Sequence, residues 1–113
     1  MEPIKKQVFL DGICDIYRIG SSGQPEMIFA GIPLDKRTVG SRRSFDAMQA
    51  GHIIARVIRV PRVPQDLNDC YVMMGTEQFQ ILQAQEIFDT CPKCLQLTLE
   101  HPNIRWADEQ EEV

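Results

Sequence analysis

Cys91-Pro92-Lys93-Cys94 is the one local spacing in this sequence that carries a recognised chemistry. Two thiols three positions apart can form half of a tetrahedral zinc site or a thioredoxin-like redox pair. Redox use places such a pair where a strand meets a helix. Here both flanks, Phe88-Asp89-Thr90 and Leu95-Gln96-Leu97-Thr98-Leu99, have the composition of strands. Zinc needs about four ligands, and the sequence offers no second CxxC and no HxxxH. Cys14 and Cys70 would have to converge on the motif from a distance, and Cys14 sits in an apolar stretch where a buried thiol is the ordinary outcome. The four cysteines allow three disulfide pairings, and no secretory context favours any of them. The expectation is a structural turn at residues 91–94, with no metal and no cofactor.

Other catalytic chemistry has little to stand on. His52 and His101 are the only imidazoles, and neither has a nucleophile or a carboxylate at useful spacing. Gly20-Ser21-Ser22-Gly23 is glycine-rich, but no Gly-Lys-Ser/Thr follows it, so it is a loop and not a phosphate cradle. The sequence is expected not to be an enzyme.

Charge is more informative. Twelve Lys and Arg against sixteen Asp and Glu give a net charge of −4, which argues against a nucleic-acid binder over the whole surface. Seven of the twelve cations fall within residues 36–62: Lys36, Arg37, Arg42, Arg43, Arg56, Arg59 and Arg62. Asp108, Glu109, Glu111 and Glu112 make an acidic stretch at the other end. A basic middle with an acidic end suits neighbours that meet charge to charge; a solvated face is the plainer alternative. Residues 107–113 are expected to be disordered unless a partner orders them, because they hold too few apolar groups to bury.

The elements that must position these residues are strands. At 113 residues there is room for one domain, expected over residues 1–106. No apolar run approaches the ~20 residues of a membrane helix. Met1-Glu2-Pro3-Ile4-Lys5-Lys6 is not followed by a signal core, so export by that route is not expected. Strands are predicted over 7–19 (with Gly12 as a bulge), 26–32, 53–60, 70–74, 79–88 and 95–99, the last on the alternation of Leu95, Leu97 and Leu99 with polar residues. Ser44 to Ala50 is the one helical segment, capped by Ser41 or Ser44 and stopped by Gly51. The fold expected is mainly β, a small antiparallel β-barrel of about six strands with one short helix and a long loop. Ile16, Val57, Val72, Ile81, Leu97 and Leu99 are its expected core.

Several stretches together carry a family resemblance. Lys36-Arg37-Thr38-Val39-Gly40-Ser41-Arg42-Arg43-Ser44-Phe45 is followed by Ala47-Met48-Gln49-Ala50, then by Val57-Ile58-Arg59-Val60-Pro61. Phe79 to Gln85, Asp89-Thr90-Cys91-Pro92 and Leu95 to Leu99 follow in order. Over roughly residues 7–100 this resembles the small head–tail connector proteins of tailed bacteriophages and prophages, of the head-closure, stopper, head–tail joining or minor capsid type. Cys91 and Cys94, and the acidic extension after Trp106, depart from the family's pattern. The resemblance implies a virion protein made in the bacterial cytoplasm and assembled as a homo-oligomeric ring. It implies a portal or adaptor protein above the ring, a tail protein below, double-stranded DNA in the channel and no membrane. Residues 36–51 would be the element that faces the channel or a neighbouring subunit. Its candidate contacts are Lys36, Arg37, Arg42 and Arg43 for charge, and Phe45 and Met48, three apart on one helical face, for apolar area. Two readings from other classes stand beside it. One is an oligonucleotide-binding barrel, which would want aromatics among the arginines where only Phe45 is found. The other is a small metal-binding regulator using Cys91 and Cys94.

Overall fold

In the computed structural model, residues 4–38, 48, 51 and 53–102 are described. The protein is mainly β, and its principal sheet is antiparallel, seven-stranded and curled into a half-barrel. The strands are β1 (Lys5–Lys6), β2 (Ile13–Ile19), β3 (Pro25–Pro33), β4 (Asp35–Arg37), β5 (Ile54–Pro61), β6 (Tyr71–Met74), β7 (Glu77–Ile87), β8 (Thr90–Cys91) and β9 (Cys94–Glu100). Their order in the large sheet is β3-β2-β6-β7-β9-β5-β4, while β1 and β8 form a separate parallel pair. Each of the six strands expected from the sequence has a counterpart here; β1, β4 and β8 are additional and short.

The curl has a local cause. Along the β2–β3 ladder, Cys14 pairs with Ile32 but Ile16 pairs with Phe29, so β3 carries an extra residue. Gly31 takes φ +64 at this bulge and its N–H donates to Asp15 Oδ1 at 2.8 Å. A bulge bends its strand and increases the twist. β3 then passes through Leu34 directly into β4, which pairs with β5 at the opposite end of the strand order. One kinked length of chain thus forms both outer strands of the sheet. The side chain of Leu34 is buried at the join, and its backbone pairs with Asp11 and Gly12.

Inside the curl lie Ile16, Ile58, Val60, Val72, Phe79, Ile81, Leu95, Leu97 and Leu99, all buried. The six expected core residues are each no more than 3% exposed. Val57 is buried as well, although Ile58 and Val60 are the β5 residues that enter the main cluster. The β5–β6 connection sends Leu67 into the core cluster, at 1% exposure. An Asx turn holds that connection: Asn68 donates to Asp66 Oδ1 from both its backbone N–H (3.0 Å) and its side-chain amide (2.7 Å).

Residues 7–12, expected as the beginning of the first strand, stand outside the ladder. Gly12 has φ +135, and β2 starts only at Ile13. The β6–β7 turn is also tighter than expected, leaving only Gly75 and Thr76 between the strands. The predicted helix over 44–50 lies outside the described residues apart from Met48. Gly51 has φ +85 and donates its N–H to Met48 O at 3.0 Å, the conformation of a helix stop.

Candidate functional site

β4 and β5 form a hairpin in register Asp35↔Arg59, Lys36↔Ile58 and Arg37↔Val57. Successive strand residues face opposite ways. Ile58 points into the core, so Asp35, Arg37 and Arg59 share the outer face of the sheet. The connection between these strands, residues 38–53, carries Arg42 and Arg43 of the basic stretch 36–62, and the hairpin fixes both its ends.

A polar cluster anchors the base of this hairpin. Its hub is Gln7, 5% exposed, on the segment that leaves the β2 ladder. Gln7 Nε2 donates to Asp35 Oδ2 and to Val8 O, both at 2.9 Å. Its Oε1 accepts from Arg37 Nη2 and from Arg59 Nη1, both at 3.1 Å. A carboxylate only accepts and a guanidinium only donates, so these partners fix which way the amide points. Arg59 Nε also donates to Gln96 Oε1 on β9 at 3.0 Å, and Arg37 Nε lies 3.3 Å from Asp35 Oδ2. The Lys36 N–H donates to Asp11 Oδ2 at 2.8 Å. That backbone hydrogen bond, aided by a side-chain bond to Asp35, holds the Asp11 carboxyl below its ordinary range. The segment that carries Gln7 is secured in turn by β8: Lys5 N–H donates to Asp89 O at 2.8 Å and Gln7 N–H to Cys91 O at 3.0 Å.

Of the residues the sequence nominated, Lys36 and Arg37 therefore sit on the hairpin, exposed, with Arg37 held by the cluster. Met48 is 63% exposed. Arg42, Arg43 and Phe45 lie outside the described residues. Arg56 and Arg62 are engaged elsewhere. Arg56 stacks over the Phe79 ring at 5.9 Å, and Arg62 Nε pairs with Glu86 Oε1 at 3.0 Å. Sequence reasoning missed Gln7 and Gln96 entirely. The sequence marks neither, since Gln7 simply follows Lys5-Lys6 at the start of the apolar run Val8-Phe9-Leu10.

The cysteines do not gather. Cys91 is exposed, whereas Cys94 is buried with its sulfur 3.6 Å from Thr90 Oγ1. The Thr90 hydroxyl also donates to Pro92 O at 2.9 Å, bracing the turn between β8 and β9. Cys14 lies opposite Ile32, while Cys70 directly precedes β6, on the far side of the Ile16↔Val72 and Tyr17↔Tyr71 pairs. About four strand residues, or ~13 Å, separate their levels, too far for a disulfide. Burial pushes the Cys14 thiol up to about 12, with Asp15 adding to the shift, and burial raises Cys70 too. Among the described residues, no three His, Cys, Asp or Glu side chains are grouped to hold a metal ion. His101 stacks on Phe79 with ring centroids 5.7 Å apart.

A cleft of about 540 Å³ runs beside Arg62–Leu67 and is lined also by Ala84 and Leu95. Its charged lining, Arg62 with Glu86 and Asp66, includes the Arg62–Glu86 ion pair. Among the described residues no helix is long and apolar enough to cross a membrane. Comparison with family models, with curated proteins and with solved structures found no match to this chain.

Proposed function

We propose that this chain is the subunit of a head–tail connector ring, of the head-closure or stopper type, that joins a portal or adaptor to a tail and retains packaged DNA. The observation that carries the reading is the β4–β5 hairpin. It holds the long connection 38–53 at both ends on the half-barrel, with Arg37 and Arg59 gathered at its base and Lys36 exposed beside them on the other face. A half-barrel that carries one long connection, with Arg42 and Arg43 in it and Lys36, Arg37 and Arg59 on the strands that hold it, suits an assembly in which neighbours or channel DNA supply the opposing surface. The order of motifs from Lys36 to Pro61, which resembles such proteins, supports the same reading. Phe45 and Met48 would supply contact area that salt does not weaken, while the cations would be stabilised by acidic neighbours or by phosphate and weakened by salt. The Phe45→Ser/Met48→Ser protein tests this. It should melt as the wild type does, yet fail to form rings or leave capsids that lose DNA. A double variant that folds and still yields infectious particles would refute the role given to the connection.

A further inference from the structure

The segment before β2 turns an apolar row outward. Its burial alternates as in a strand: Gln7 is buried and Phe9 half-buried, while Ile4, Lys6, Val8 and Leu10 are exposed. The Lys5 and Gln7 N–H groups both bond to the β8 stretch, which leaves the N–H and C=O of Lys6 on the free edge of β1. Among the described residues no carboxylate forms an ion pair with Lys6. Apolar side chains gathered on one exposed strip mark a contact surface more often than scattered ones do.

The same chain has an open strand edge beside its cleft. β7 runs Glu77–Ile87, but β6 pairs with it only as far as Gln80. Beyond that point Ile81 N–H reaches Cys70 O, and Ala84 N–H reaches Asn68 Oδ1 at 3.4 Å. Among the described residues no strand covers 82–87 on this side. The alternation that turns Ala84 N–H to this edge turns the N–H and C=O of Glu86 to it as well. Ala84 and Glu86, opposite Leu97 and Leu95 on β9, also line the cleft beside Arg62–Leu67. The charged residues of that lining are Asp66 and Glu86 against one cation, Arg62. An open edge beside a cleft accepts an extended segment: main-chain bonds hold it, and alternate side chains fill the cleft.

We infer that the strip Ile4–Val8 of one copy adds as an antiparallel strand to the open edge of β7 in a second copy, with Lys6 opposite Glu86. The inference rests on the ring reading and names the contact between its subunits. In this register the free N–H and C=O of Lys6 meet those of Glu86. Val8 then falls opposite Ala84, whose small side chain leaves room above Leu95, and the Lys6 ammonium joins the carboxylates of Glu86 and Asp66. The two surfaces differ, so the contact is head-to-tail and can close into a ring.

The test measures self-association of the full chain by sedimentation equilibrium, for the wild type, Lys6→Glu, Glu86→Lys and a 1:1 mixture of the two variants. Both groups are exposed, and each variant should melt close to the wild type. Each reversal sets like charges together at every contact, and should weaken association by about tenfold or more. In the mixture, contacts between unlike variants join opposite charges again, so association should return; a misfolded variant would not be rescued. Amide exchange at Lys6 and Glu86 should slow in the assembled wild type. Rings that neither reversal weakens would overturn this contact and leave the ring reading standing. Weakening that the mixture does not repair would also overturn it, as would a wild type that never self-associates. Slowed exchange that appears only when a portal or adaptor protein is added would give the seat to that protein instead.

Discussion

Gln7→Ala removes the hub of the outer-face cluster and tests whether the segment before β2 is part of the folded body. Four hydrogen bonds are lost, three of them to charged groups: Asp35 at 2.9 Å, and Arg37 and Arg59 at 3.1 Å. A hydrogen bond to a charged partner contributes about 1.5–3 kcal/mol when shielded from water. Arg37 is 40% exposed, and water can replace its share at little cost; Asp35, at 20%, is better shielded, and Arg59 is half-buried. Counting chiefly these two partners, the variant should lose about 2–4 kcal/mol. The assay is a urea melt in which the midpoint falls at constant slope. A local readout accompanies it. The amides of Lys5 and Gln7, bonded to Asp89 O and Cys91 O, should exchange faster in the variant. A loss below about half a kcal/mol, with unchanged exchange at both amides, would show that the cluster does not hold this segment.

Leu97, fully buried on β9 between Ile58 and Ala84, should cost about 2–5 kcal/mol when cut back to alanine; a melt within about half a kcal/mol of wild type would mean the strand's facing is wrong. Under native conditions a thiol reagent should label Cys91 rapidly and Cys14, Cys70 and Cys94 slowly, as peptide mass spectrometry would report; fast labelling of Cys94 would contradict its burial. The Cys14 thiol, raised by burial from 9.0 to about 12, keeps its proton longer folded than unfolded. Its contribution to stability is therefore full below about pH 9 and is lost as pH rises toward 12, by up to about 1.4 kcal/mol per pH unit. Melts across that range should show the decline, and Cys14→Ala should make it shallower, with the raised Cys70 and Tyr17 groups keeping the remainder. Removing residues 107–113 should leave the melting temperature nearly unchanged, since exposed ion pairs contribute about 0–1 kcal/mol; a fall of many degrees would place the stretch in the core.

Much of the half-barrel was legible because its signals are local. Leu95, Leu97 and Leu99 alternate with polar residues, and all three are buried. Pro61 ends β5 where a residue without an N–H should end it, and the stretches expected as strands over 7–19, 70–74 and 79–88 became β2 from Ile13, β6 and β7. What stayed hidden depends on contacts between distant residues. β4 is Asp35-Lys36-Arg37, three charged residues that no propensity marks as strand; it pairs because Leu34 carries the chain from one edge of the sheet to the other. Residues 7–12 have strand composition, yet Gln7 leaves the ladder because two arginines and an aspartate from other strands satisfy its amide. For the candidate site, the charge clustering pointed to Lys36 and Arg37. It did not distinguish Arg59, held in the cluster, from Arg56 on an aromatic ring and Arg62 in an ion pair. Those fates follow from which strand lies opposite, and the sequence alone does not state the register.

The central claim is that this half-barrel works as one subunit of a ring. Negative-stain images of the purified protein, alone and mixed with the products of its neighbouring genes, test it most directly. Annular particles with an axial opening are expected, formed by the protein itself or on a portal or adaptor ring, and lost in the Phe45→Ser/Met48→Ser variant. Single subunits in every mixture, with no particle containing this chain, would contradict it.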